Sequence, residues 1–229
     1  MIPVLAIDGP SGSGKGTVCR RVARALGWHL LDSGALYRLV ALAGDKAGLA
    51  AGDEAGHARL AGKMDIRFGV DEQGGERVQL DGEDVTRDIR SERAGNAASR
   101  VAAWPSVRSA LFETQRRFMQ TPGLVADGRD MGSVVFPDAT LKIFLTASAE
   151  ERARRRHKQL KEKGLSVNLA ALSAEIAERD RRDATREVAP LVACRDAVVI
   201  DSTALDIDAV VDEVLALARE RFSLPRHRD

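Results

Sequence analysis

The chain has 229 residues, of which 44% are hydrophobic and 30% charged, a balance typical of a globular protein with a sizeable buried core. A net charge of +1 argues against a general nucleic-acid binder, which carries a strong basic excess. No apolar run nears the ~20 residues that cross a bilayer.

Cys19 and Cys194 are too few for a disulfide framework or a metal cluster. Met1 runs almost directly into the first apolar segment, leaving no room for a signal peptide. The expectation is a cytoplasmic monomer with no membrane and no nucleic-acid partner.

The first apolar run, Val4 to Ile7, reads as a buried strand, and Lys15 to Leu26 carries Val18, Val22 and Leu26 at helical spacing. Trp28 to Leu31 is a second strand, and Asp32-Ser33-Gly34 opens a helix through Tyr37, Leu39 and Ala43, with Ser33 as its cap. From Met64 the period changes to two: Met64, Ile66, Phe68 and Val70, a Gly74-Gly75 turn, Val78 and Leu80, Asp81-Gly82, then Val85. That pattern predicts a three-stranded antiparallel meander.

Helices are predicted from Ser91 to Ala103 and from Pro105, the latter with Val107, Leu111 and Phe118 on one face. Leu124 to Ala126 and Leu141 to Leu145 read as buried strands. Ser148-Ala-Glu-Glu151 is a capping box for a charged helix to Lys163, ended by Gly164. Asn168 caps a further helix running into Asp183. Val198 to Ile200 is a last strand, and a helix from about Asp206 uses Ile207, Val211, Val214 and Leu217 as its apolar stripe. Alternating strands and helices predict a parallel sheet flanked by helices, an α/β fold, with the antiparallel meander as an insert.

Between the first strand and first helix lie Gly9, Pro10, Ser11, Gly12, Ser13, Gly14, Lys15, Gly16 and Thr17. A glycine-rich turn of this spacing lets backbone N–H groups converge on an anion. The helix N-terminus adds its dipole, and a lysine reaches the terminal phosphates. This predicts a nucleoside triphosphate site. One position departs from the usual phosphate loop: Gly16 stands where a serine or threonine is common, with Thr17 one place later.

Phosphoryl transfer needs donor and acceptor aligned and their charge neutralised. An acceptor that is already a phosphate is anionic near neutral pH and needs no base, only cations. Arginines are 28 of the 35 basic residues, and their forked guanidinium suits phosphate. Arg129 follows a strand end, where open α/β sheets bind ligands. Arg152, Arg154, Arg155 and Arg156 crowd one helix, and Arg179, Arg181, Arg182 and Arg186 mark the next. A solvated charged face is an equal reading for the first of these helices.

With these blocks on the page, the chain resembles the bacterial cytidylate kinase family, nucleoside monophosphate kinases, over nearly its whole length. The resemblance rests on the blocks Ile7–Thr17, Leu30–Arg38, Asn96–Ser99, Ala126–Gly132 and Glu178–Asp183. In that family glycine and threonine after the loop lysine are normal.

The resemblance implies one phosphate-loop kinase domain over 1–229. It includes an acceptor-side β insert at 60–90 and a helical lid at about 150–185. It implies ATP-dependent phosphorylation of CMP and dCMP, with Mg2+ bound near Thr17 or through water. Lys15 would serve the β- and γ-phosphates, with Arg154 of the lid also on ATP. Arg38, Arg129 and Arg186 would grip the acceptor phosphate. Ser33, Tyr37, Arg179 and Asp183 would meet the ribose; Ser99, Arg108 and Asp130 would read the base.

Cytosine offers an amine donor beside a ring acceptor, which suits a carboxylate and an arginine; uracil reverses both signals. Asp130 and Asp183 also fit as salt-bridge partners of neighbouring arginines. Another small-molecule phosphate-loop kinase, acting on UMP, AMP or an alcohol such as shikimate, is the nearest alternative. A nucleotide-dependent switch or an RNA-binding module is a more distant one. No Asn-Lys-x-Asp motif supports a switch, and 4% aromatic residues give few stacking platforms for RNA.

Overall fold

A computed structural model describes residues 2–70, 76–162 and 168–224. In chain order the elements are β1 (Val4–Asp8), α1 (Lys15–Leu26), β2 (His29–Asp32), α2 (Ser33–Lys46), α3 (Glu54–Ala61), β3 (Ile66–Val70), β4 (Glu76–Leu80) and β5 (Glu83–Asp84). There follow α4 (Glu92–Val101), α5 (Pro105–Arg116), β6 (Leu124–Gly128), β7 (Leu141–Thr146), α6 (Ala149–Glu162), α7 (Leu169–Thr185), β8 (Val198–Asp201) and α8 (Ile207–Phe222). The chain divides into two compact units, residues 1–32 with 115–229, and residues 33–114.

The first unit is built on a five-stranded sheet in the order β2-β6-β1-β7-β8, every neighbouring pair parallel. All five residues of β1 and of β6 are buried, as expected for strands covered on both faces. Leu5, Ile7, Val125, Ile143 and Leu145 of the strands pack with Val18 and Val22 of α1 and with Val211 and Val214 of α8. Gly27, left-handed at φ 65, ends α1. Asp206 caps α8 by accepting the Ala209 N–H, and Asn168 caps α7 by accepting from Ala170 and Ala171. The pair α6 and α7 carries its own small core of Ala153, Leu160, Leu172 and Ile176.

In the second unit β3, β4 and β5 form the antiparallel meander. Val78, Leu80, Val85 and Ile89 pack with Ala35, Leu39 and Ala43 of α2. The meander lies in the unit of residues 33–114, together with α2, α3, α4 and most of α5.

Three features differ from the sequence-based expectation. α3, capped by Asp53, was not anticipated; it is short and rich in alanine and glycine, so its apolar period is faint. Phe118 lies beyond the end of α5. Ser33 stands as the first residue of α2, directly after β2, instead of preceding the helix. The Gly74-Gly75 turn, the Lys163-Gly164 helix end and His227 lie outside the described residues.

Candidate active site at the strand ends

β1 is the middle strand of its sheet, and the glycine loop leaves its C-terminal end. The start of that loop admits only glycine: a Cβ on Gly9 would stand 2.0 Å from the Leu145 carbonyl oxygen of neighbouring β7. Gly14, left-handed at φ 90, turns the chain into α1. Lys15 is the first residue of that helix, buried, with Nζ 3.7 Å from Asp127 Oδ1 at the end of β6. Burial pushes the Lys15 amine down to about 8, with Arg129 adding to the effect and Asp127 opposing it. Ser13 is buried and its hydroxyl has no hydrogen-bond partner among the described residues. A buried polar atom left open is costly unless something arrives to meet it.

Arginines of α6 and α7 reach the loop, and only some of them do. Arg152 is buried. It donates to Ala147 O at 3.0 Å, to Ser11 O at 3.0 Å, and as a fork to both oxygens of Asp180 at 3.0 and 2.5 Å. Arg155 donates to Ser202 Oγ at 3.1 Å and to Ser13 O at 3.5 Å, and buried Ser202 in turn donates to Ser13 O. Arg179 donates to Ser11 Oγ at 3.2 Å. Arg154, by contrast, has a side chain 62% exposed and pairs with Glu150 and Glu151 on its own helix. Arg181 is likewise paired along its helix with Glu178. The sequence reading placed Arg154 on ATP; the side chains that touch the loop are Arg152, Arg155 and Arg179.

The segment after β6 holds the second group. Arg129 donates through Nε to Asp183 Oδ2 at 3.1 Å and through Nη1 to Gly128 O at 3.1 Å. Arg186 lies with Nη2 3.6 Å from Asp130 Oδ1, both side chains almost wholly buried. Arg129, Asp130, Asp183 and Arg186 thus form one part-buried and one buried ion pair, bringing together four of the residues singled out from sequence.

Residues 131–135 then make a single wide π-type turn, a form that recurs at functional sites. Its Met131 and Gly132 N–H groups donate to the two oxygens of Asp8, each at 2.8 Å. Burial drives the Asp8 carboxyl up to about 7 despite those two bonds, with Asp130 adding to the rise and Arg129 opposing it.

In the second unit Ser33, Tyr37 and Arg38 share α2, Ser99 lies on α4 and Arg108 on α5. Ser33, Tyr37, Ser99 and Arg108 are buried, which is unusual for an arginine and a serine that would otherwise read as helix surface. The Arg108 guanidinium lies 5.8 Å from the Tyr37 ring centroid and donates to Ala102 O at 3.2 Å.

Thr17 is exposed, its hydroxyl accepting from Arg20 at 3.4 Å. Among the described residues no group of three or more His, Cys, Asp or Glu side chains is placed to hold a metal ion. No described helix is long and apolar enough to cross a membrane. Asp8, Asp180 and Ser202 were not picked out as site residues from sequence, and Arg152 and Arg155 only as members of an arginine-rich helix. For Asp8 the signal was an acidic residue closing a wholly apolar strand.

A glycine loop between the middle strand of a parallel sheet and a helix, with a buried lysine in the first helical turn, defines a phosphate-loop nucleotide-binding protein. An uncharacterized protein from Eubacterium ventriosum ATCC 27560 shares the fold, with a TM-score of 0.51 at 12% identity, over 96% of this chain and 99% of that one. The sequence pattern of the family described as Cytidylate kinase matches residues 5–220. The chain is 58% identical over 222 residues to the cytidylate kinase of Aeromonas salmonicida (strain A449), covering 97% of this chain and 96% of that protein. It is 55% identical over 223 residues to that of Klebsiella pneumoniae (strain 342), covering 97% and 98%. The chain belongs to the cytidylate kinase family and is a phosphotransferase.

Proposed function

We propose that this chain transfers the γ-phosphoryl group of ATP to CMP and dCMP, giving ADP and the corresponding diphosphate. The observation that carries the reading is the family match across residues 5–220, and the site chemistry agrees with it. The site in the first unit is rich in cations and in carboxylates paired with them, beside the loop's backbone and hydroxyl groups. A phosphate acceptor is already anionic and needs no general base.

In this reading an oxygen of the acceptor phosphate attacks the γ-phosphorus in line as the bond to the ADP oxygen breaks. Residues Gly9 to Thr17 cradle the donor phosphates, and the open Ser13 hydroxyl supplies one further hydrogen bond. Lys15 follows the negative charge that moves toward the β–γ bridge. ATP bound against Lys15 restores its full charge, because a triphosphate opposes the depression caused by burial. Arg38, Arg129 and Arg186 serve the acceptor phosphate. Ser33, Tyr37, Arg179 and Asp183 serve the ribose. Asp130 accepts from the cytosine amine, while Arg108 and Ser99 serve the ring acceptor and carbonyl. Residues 150–185 act as the lid and 60–90 as the acceptor-side insert.

The acidic and hydroxyl groups beside the loop fit Mg2+, which prefers oxygen ligands and retained waters. Asp127 Oδ2 lies 3.3 Å from where a Cβ on Gly16 would stand, so a carboxylate oxygen occupies the neighbourhood that a serine or threonine side chain would enter. Asp127 and Thr17, with the phosphates, are the residues that would hold the ion. An ion held there would supply charge neutralisation on the transferring group.

The few cysteines support a cytoplasmic compartment, and a monomer is the expected state. Light scattering tests the second point: a single species at the mass of one chain is expected, and a stable dimer excludes it.

A coupled ADP-release assay with Mg-ATP against CMP, dCMP, UMP, AMP, GMP and shikimate tests the function. Strong turnover with CMP and dCMP and little with UMP is expected. Turnover confined to another acceptor would keep the kinase chemistry and overturn the base assignments. No turnover with any acceptor would overturn the reading.

A further inference from the structure

Asp8 is the last residue of β1 and takes no part in the roles above, yet its carboxylate is among the most demanding groups in the first unit. It is 5% exposed, and among the described residues no cation is seen to donate to it. Its hydrogen-bond donors are the backbone N–H groups of Met131 and Gly132, one to each oxygen at 2.8 Å. Those two groups come directly after Arg129 and Asp130. Gripping successive peptide planes with both oxygens of one rigid side chain fixes the direction in which the chain leaves Asp130.

The same turn is held at its far end. Arg116 Nη1 donates to Val135 O at 2.6 Å, and the Arg116 guanidinium lies 5.8 Å from the Phe136 ring centroid. Between these anchors the turn closes on itself through Val135 N–H to Asp130 O at 3.2 Å and Phe136 N–H to Met131 O at 2.7 Å. Gly132 is hemmed in: a Cβ there would meet the Lys142 side chain at 3.1 Å and Asp8 Oδ2 at 3.5 Å. Two side chains remote in sequence thus define the path of the segment bearing Arg129 and Asp130.

An asparagine would cost less to bury than a carboxylate. It has one accepting oxygen, however, and its NH2 would face an N–H that needs an acceptor. A need for two acceptors at this point accounts for the acid.

We infer that Asp8 is the positioning residue for the acceptor side of the site, aiming Arg129 and Asp130 through the Met131 and Gly132 N–H groups without itself touching a substrate. This rests on the proposed reading of Arg129 and Asp130 as acceptor-binding residues. The phosphate loop begins at the very next residue, yet the Asp8 carboxylate is bonded to the other loop. Its loss therefore falls on the acceptor and spares the donor.

The test is steady-state kinetics of Asp8→Asn beside Arg129→Ala and Asp130→Asn, with KM measured separately for CMP and ATP and kcat/KM compared for CMP and UMP. Asp8→Asn is expected to raise KM for CMP about tenfold and to lower the CMP-to-UMP ratio by a similar factor, as losing a hydrogen bond to a charged group would do. KM for ATP stays within about twofold, because binding shared by ground and transition states is altered only at the acceptor. Equal rises in both KM values, or an unmoved CMP-to-UMP ratio, would show a merely structural role and overturn the inference.

If Arg129→Ala and Asp130→Asn move the acceptor parameters while Asp8→Asn does not, Asp8 alone is misassigned. If neither of those two variants moves them, the reading beneath it fails as well. Should Asp8→Asn not fold, Asp8→Glu keeps two accepting oxygens but shifts them by one methylene. The same split between acceptor and donor KM then decides.

Discussion

Two loops leave the C-terminal ends of adjacent parallel strands, and their shapes are encoded in opposite ways. The loop after β1 carries its geometry in its own residues: Gly9 where only hydrogen fits, Gly14 in the left-handed region, and Lys15 opening α1. The segment after β6 has little such local instruction. Its wide turn is held by Asp8, 123 residues away in sequence, and by Arg116, 19 residues away. A loop that must present backbone N–H groups to an anion is built from residues without side chains. A segment that must present an arginine and an aspartate in fixed directions is built by bracing its backbone from outside.

The largest effect expected from this contrast is Gly9→Ala. The added methyl would meet a backbone carbonyl inside a parallel sheet, at 2.0 Å, and neither partner can swing aside. A loss of about 3 kcal/mol or more is expected, the upper end for overpacking. Thermal melting reads this directly. A variant melting like the parent would mean the first loop is as externally adjustable as the second, and the comparison would break.

Lys15→Met separates charge from shape in the same loop. The methionine keeps most of the stem volume, so folding is preserved while kcat falls by about 10²–10³-fold, the scale of one lost charge-stabilising donor. Stability adds a pH signature. The Lys15 pKa is lowered in the folded protein from 10.5 to about 8, so the folded state binds fewer protons than the unfolded chain in that window. The parent therefore gains stability relative to Lys15→Met as pH rises from about 8 toward 10.5, and loses that gain as pH falls through 8. Melting curves of both proteins across that range give the sign. A flat difference would place the amine in a more solvated setting than its burial implies.

What the sequence made legible follows the same division. The glycine loop, α1, the apolar strands β1, β6 and β7 and the capped helices α7 and α8 each signal themselves within a dozen residues, through period, turn or cap. The strand order β2-β6-β1-β7-β8 does not, because it depends on which buried strands pair across long separations. Arg129 and Asp130 were found by resemblance and strand-end position, but the Arg129–Asp183 and Arg186–Asp130 pairs needed the fold. Among the lid arginines the sequence could not choose, since four in five residues of α6 look alike until the helix is rotated against the loop. Arg152 then turns inward to Ser11 O and Asp180, and Arg154 outward to Glu150.

That rotation supplies the finest test of the comparison, because Arg152 is the most heavily bonded of the side chains that reach the first loop from outside it. Arg152→Ala removes a buried fork to Asp180 and the bonds to Ser11 O and Ala147 O, and about 2–3 kcal/mol of stability should go with it. KM for ATP should rise too, since the Ser11 carbonyl loses its anchor. Arg154→Ala removes only two surface pairs along one helix, each worth about 0.3–0.5 kcal/mol, and should leave KM for ATP unchanged. If instead Arg154→Ala raised KM for ATP and Arg152→Ala did not, the exposed arginine would be the one that meets the nucleotide. The first loop would then not depend on the Arg152 brace.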